Sequence, residues 1–176
     1  MLFALSSSPV NSIRILGVTI NEFLSAADHV RSLLISSNSS LYALRVLRVH
    51  GIPDESLQEV FRATLLAKIT YAGSAWHDMC SAEDDAKLES LVKRCQRLGY
   101  YGRDEPTLSE LFNEADVRLF NRVVNNPEHV LQQFLTERHQ TYILRRRPHG
   151  NKTLMEKTSS LKEQDFFVTA MYKHSY

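Results

Sequence analysis

The chain of 176 residues is expected to be mainly α: a helical bundle with one short N-terminal strand or hairpin and a second small helical subdomain. Three observations predict this class. Apolar residues recur at three- and four-residue steps through most of the sequence, which is the period of a helix face. Helix-start residues stand just before those runs, at Ser25, Ser81 and Thr107. Only one segment, residues 13–20, is dense in β-branched side chains.

Composition sets the outer bounds. A hydrophobic fraction of 43% suffices for a buried core, and 21 basic against 20 acidic residues leave no global field toward nucleic acid or membrane. The distribution is less even. Residues 138–155 hold Arg138, Arg145, Arg146, Arg147 and Lys152 without one carboxylate. Cys80 and Cys95 form no CxxC pair, which fits a reduced compartment. Met1 to Leu5 is apolar but has no basic leader and stops at Ser6-Ser7-Ser8-Pro9, so it reads as a ragged start. No run approaches the roughly 20 apolar residues of a membrane helix. A nuclear or cytoplasmic protein, not a secreted one, is expected.

Ile13-Arg14-Ile15-Leu16-Gly17-Val18-Thr19-Ile20 reads as a strand with a bend at the glycine. A lone strand is not stable. Either it pairs with residues 2–5 or its partner sheet lies in sequence outside this chain. A helix is predicted from Ser25 to Val49, with Ser25 as cap, Val30, Leu33, Leu34, Leu41, Leu44 and Leu47 as its apolar stripe, and Gly51 as its stop. Within it, Ser36-Ser37-Asn38-Ser39-Ser40 competes for backbone hydrogen bonds and predicts a kink or a break.

The longest periodic run is residues 57–76, where Leu57, Val60, Phe61, Thr64, Leu65, Lys68, Ile69, Ala72 and Trp76 share one face of a single expected helix. Pro53-Asp54-Glu55-Ser56 supplies its turn and early negative charge, Gly73 weakens its end, and a buried Trp76 anchors the packing. The next helix is capped by Ser81, opens on Glu83, Asp84 and Asp85, and closes on Lys93, Arg94 and Arg97 before Gly99, matching the macrodipole at both ends. Leu88, Leu91, Val92, Cys95 and Leu98 form its inner side, with Lys87 among the cations opposite.

Residues 99–106, GYYGRDEP, are turn chemistry and a candidate subdomain boundary. Thr107-Leu108-Ser109-Glu110 matches a capping box, and Leu108, Leu111, Phe112, Ala115, Leu119, Phe120 and Val123 line the helix after it. Asn126-Pro127 is read as the start of a short helix through Leu135. Residues 142–149 form an extended basic segment, and residues 163–173 a short helix that docks through Phe166, Phe167 and Met171.

The sequence holds no glycine-rich phosphate loop, GxSxG elbow or HExxH helix. His77 and Cys80 have no second pair at zinc-finger spacing, and the carboxylates 83–85 satisfy a helix start rather than a metal pair. The order of segments is more telling. IRILGV at 13–18, ADHV at 27–30, LYALRVLRVHG at 41–51 and ITYAGSAW at 69–76 resemble the C-terminal part of non-LTR (LINE-type) retrotransposon reverse transcriptases. EADVRLF at 114–120, NPEHVL at 126–131 and YILR at 142–145 continue the likeness.

That resemblance implies a fragment of an RNA-directed DNA polymerase. Residues 1–24 would be a palm-edge strand remnant, 25–99 a thumb-like bundle, 100–140 a second helical segment, and 141–176 a basic loop with a docking helix. The catalytic aspartates and their Mg2+ would belong to a palm upstream of Met1, leaving no cofactor in this chain and little activity alone. Thr169-Ala170-Met171-Tyr172 stands where the family pattern would place an arginine. The implied partners are RNA or an RNA/DNA hybrid, held weakly and without sequence preference, and the palm itself. Arg45, Arg48, Lys93, Arg94, Arg97, Arg145, Arg146 and Arg147 are the candidate phosphate contacts. The alternative is a helical protein-interaction module that docks a partner through an exposed apolar face.

Overall fold

The computed structural model describes residues 11–135 and 168–170. The chain is mainly helical, with a two-stranded antiparallel hairpin ahead of the helices. It divides into two compact units, residues 1–69 with 79–105 and residues 70–78 with 106–176.

The first unit opens on the hairpin, and here the expectation of a single strand is corrected. Strand β1 (Ser12–Ile15) pairs with β2 (Val18–Asn21), so the segment is its own partner. Leu16 and Gly17 both have positive φ, 47° and 92°, which is the geometry of a two-residue type I′ turn. The glycine read as a bend is the reversal itself. A two-stranded ribbon is marginal alone, and this one is secured by buried Val18, on the strand that packs against the first helix.

Helix α1 (Ala27–Val49) starts two residues later than expected, because the Ser25 hydroxyl accepts the Ala27 amide while Ala26 holds the cap position. It is unbroken, so the expected break at 36–40 does not occur. Ser36, Ser39 and Ser40 turn their hydroxyls back onto the carbonyls of Leu33, Ile35 and Ser36, so the competing donors are spent inside the helix. Ser37 is fully buried on the same side as Val30, Leu33, Leu41 and Leu44. Gly51, at φ 85°, follows the helix end.

The run from Leu57 to Trp76 is not one helix. Helix α2 (Asp54–Phe61) leads into a π-helical turn (Arg62–Leu66) and a last helical turn, α3 (Ala67–Thr70). Leu57, Phe61, Leu65 and Ile69 are buried, while Val60, Thr64 and Lys68 face out. A strict four-residue repeat drifts about 40° per step around a helix of 3.6 residues per turn. The wider turn, in which the Ala67 amide reaches the Arg62 carbonyl, absorbs that drift and keeps all four side chains inward.

Helix α4 (Ala82–Arg97) follows the reading closely. Ser81 caps it by accepting the Asp84 amide at 3.2 Å, Leu88, Leu91, Val92 and Cys95 are buried, and Gly99 follows at φ 78°. Leu98 is only half-buried.

In the second unit, Ala72 adopts a left-handed conformation and residues 73–75 and 77–79 make short 3-10 turns, so Trp76 is reached by a bent chain. Trp76 is buried, donates from Nε1 to the Tyr71 carbonyl at 3.0 Å, and meets Phe112 edge-to-face at 5.5 Å. Helix α5 (Leu108–Asn125) carries the full capping box between Thr107 and Glu110. The expected helix from Asn126 to Leu135 is instead a turn with one 3-10 stretch at Gln132–Phe134, because the Asn126 carboxamide binds the Glu128 amide and closes a local turn. Phe120, Val123, Leu135 and Ala170 form a buried cluster there. The helix expected at 163–173 extends beyond the described residues, and the basic segment at 142–149 lies wholly outside them.

Candidate nucleic-acid interface

The charged side of α4 is the best-defined polar surface of the first unit. The acids at its start are mutually satisfied: the Ser81 hydroxyl donates to Asp84, and Lys87 bridges Glu83 at 2.9 Å and Asp84 at 3.5 Å. Glu83, by hydrogen bond and charge, is the main cause that raises the Lys87 ammonium above its ordinary value. Lys87 is therefore a helix-start counterion, nearly two turns before the cations that follow.

Lys93 and Arg97, one turn apart on the exposed face, line an open groove of about 890 Å3 with Glu89, Ser90 and Gln96. Arg103 completes it from the turn after the helix. Two contacts bring that residue back: Gln96 Nε2 donates to the Gly102 carbonyl at 3.3 Å, and Gln58 Nε2 to the Gly99 carbonyl at 3.1 Å. The ion pair of Arg62 with Glu105 ties down the far side of the same turn. Glu89 is the single carboxylate of the lining, against three cations that form no ion pair among the described residues. Sequence reasoning missed Arg103, since only the double-glycine turn decides where it points.

The other candidates separate into three groups. Arg94 leans toward α1 and donates to Asn38 at 3.4 Å, beside a second shallow groove. Arg45 is exposed on α1 and does not line the groove of Lys93 and Arg97. Arg48, expected as a phosphate contact, is half-buried and engaged within the unit. Its Nη1 donates to the Leu98 carbonyl at 2.8 Å, its Nη2 pairs with Asp54 at 2.9 Å, and its guanidinium lies 4.3 Å above the Tyr100 ring. It closes the C-terminus of α4 against α1 and the start of α2, a structural use of the charge. Arg145, Arg146 and Arg147 lie outside the described residues.

Burial pushes the Cys95 thiol up to about 11, which makes it a core group rather than a nucleophile. His77 stacks on Phe112 at 4.0 Å. Among the described residues no group of three or more His, Cys, Asp or Glu side chains gathers at metal-binding distance, and no helix is long and apolar enough to cross a membrane.

A second surface lies on α1. Ile35, Tyr42, Val46 and Val49 are exposed along its outward face, opposite the buried stripe. Compared with known proteins, the chain matches no family model, no curated protein and no solved structure.

Proposed function

We propose that the chain is a thumb-like piece of a non-LTR retrotransposon reverse transcriptase that holds RNA or an RNA/DNA hybrid by its phosphate backbone. The sequence phrases shared with that family motivate the reading, and one observation carries it: Lys93, Arg97 and Arg103 converge on an open groove with a single opposing carboxylate. Cations so placed suit a polyanion contacted through its shape, with no demand on base identity. In this reading Arg45 and Arg94 add contacts elsewhere on the first unit, Arg145 to Arg147 are further candidate phosphate contacts, and the Mg2+-dependent chemistry belongs to a separate palm. The compartment is then nuclear or cytoplasmic.

A salt titration tests this. The full chain is expected to retain a labelled hybrid at low salt, with affinity falling steeply as salt rises. Lys93→Ala, Arg97→Ala and Arg103→Ala together should flatten the log–log slope by about two to three. No retention of hybrid or single-stranded RNA at low salt sinks the proposal.

A second reading, a helical module that docks a protein, is favoured by the exposed apolar stripe of α1. Reversing the charges of Arg145, Arg146 and Arg147 separates the two, since it should abolish hybrid binding and leave apolar docking intact.

A further inference from the structure

Helix α1 is apolar on two opposite faces, and only one of them is covered. The inward face carries Val30, Leu33, Leu41 and Leu44. On the other, Ile35 is 65% exposed, Tyr42 70%, Val46 37% and Val49 84%. At about 100° per residue these four fall within an arc of about 60°, along about 21 Å of helix. The stripe runs unbroken from Tyr42 through Val46 to Val49, and Ile35 stands two turns before it across Asn38 and Ser39.

The spacing of the stripe is symmetric. Ile35 stands seven residues before Tyr42 and Val49 seven after it, and seven residues bring a helix almost back to the same side. A stripe with this pattern is complementary to itself when the second helix runs antiparallel. Tyr42 then meets its own copy, Ile35 meets Val49, and Val46 packs beside the central pair against Asn38. Two cations border the stripe: Arg31, one turn before Ile35 and paired with Asp28, and Arg45, which falls opposite Ser39 in that register and not opposite another cation.

Area agrees with a partner of this kind. The exposed parts of the four side chains amount to on the order of 500 Å2, at the upper end of what a monomer leaves bare. Two copies together would cover about 1,000 Å2, the lower limit for a specific interface. We propose that α1 is an isologous dimer face, in which two copies of this chain pair antiparallel through Ile35, Tyr42, Val46 and Val49 about a twofold axis at Tyr42. The dimer is weak, with a dissociation constant of about 10–100 µM, as small interfaces give. This inference names the partner for the docking reading above and is independent of nucleic-acid binding.

Sedimentation equilibrium of the full chain in reducing buffer without nucleic acid, from 5 to about 300 µM, should show the mass rising from one copy toward two. Tyr42→Glu should raise the dissociation constant at least about tenfold while leaving the helical circular dichroism and the melting curve unchanged, because Tyr42 makes no part of the core. Geometry is read separately in a Cys80→Ser background. Tyr42→Cys should cross-link to itself under mild oxidation, whereas Val49→Cys, about 20 Å from its own copy across the axis, should not. A constant monomer mass up to 300 µM overturns the proposal and leaves docking on a different protein as the use of the stripe. Equal cross-linking at positions 42 and 49 overturns it as well, by removing the antiparallel register.

Discussion

Helix α1 and the stretch from Leu57 to Trp76 carry opposite lessons about local sequence and packing. The first contains five consecutive Ser and Asn residues and stays helical throughout. The second has the longest apolar periodicity of the chain and is not a single helix. The difference lies in spacing. In α1 the buried positions, Val30, Leu33, Ser37, Leu41 and Leu44, take steps of three, four, four and three and so stay on one α-helical face. In the second stretch they advance by fours from Leu57 to Ile69, which an α-helix cannot hold on one side. Tertiary burial outweighs serine propensity in one place and inserts a π-turn in the other.

The largest test of this comparison is the anchor of the bent stretch. Trp76→Ala removes a buried indole together with its hydrogen bond to Tyr71 and its edge contact to Phe112, and should cost about 3–5 kcal/mol in chemical denaturation. Gly73→Ala comes next. A Cβ there would stand 2.5 Å from the Phe112 ring, so a loss of about 1–3 kcal/mol is expected, partly restored by Phe112→Leu. An unchanged melting temperature in both variants would show that the turns around Trp76 are not held by this packing.

Replacing Ser36, Ser39 and Ser40 by Ala sharpens the other side. If burial carries α1, the hydroxyls are incidental, and the triple variant should gain up to about 1 kcal/mol from helix propensity. A loss instead would mean that their bonds to the preceding turn are needed. Thiol labelling gives a third contrast. Cys95, buried and pushed up to about 11, should resist iodoacetamide at pH 8, while half-buried Cys80 reacts first.

Acid effects are smaller and have a defined sign. Burial, with the nearby Arg14 charge, lowers the His29 pKa below 6.5 at the start of α1, so the folded state favours the neutral ring. Stability is full above that value and declines as pH falls below it, and His29→Gln should flatten the decline. Glu110 is displaced downward from 4.5 by the Thr107 amide and hydroxyl it accepts from. The capping box therefore holds above that pH and loosens as pH falls through the folded value. A fall in the amide protection factors at the start of α5 between pH 5 and 3 is the readout, with no such fall in Glu110→Gln.

Local signals with a single physical cause were legible before any coordinates. Ser81, Thr107 with Glu110, Gly51 and Gly99 do in space what their chemistry predicts, because caps and left-handed stops depend on residues within one turn. The burial of Trp76 was legible too. The candidate interface was only partly so. Lys93 and Arg97 follow from helix spacing, but Arg103 enters through a turn, and Arg48 leaves because a carbonyl fifty residues away takes its charge.

By itself the sequence determined that this chain is mainly helical, where α4 and α5 are capped, and that Leu88, Leu91, Val92 and Cys95 make the inner side of α4. Tertiary structure alone decided that Leu16 and Gly17 reverse a hairpin, that a four-step repeat becomes a π-turn, and that Arg103 joins Lys93 and Arg97. The reason is range. Caps and periodicity act within a few residues, whereas the direction of a turn and the cost of an apolar drift are set by whatever the rest of the chain packs against them.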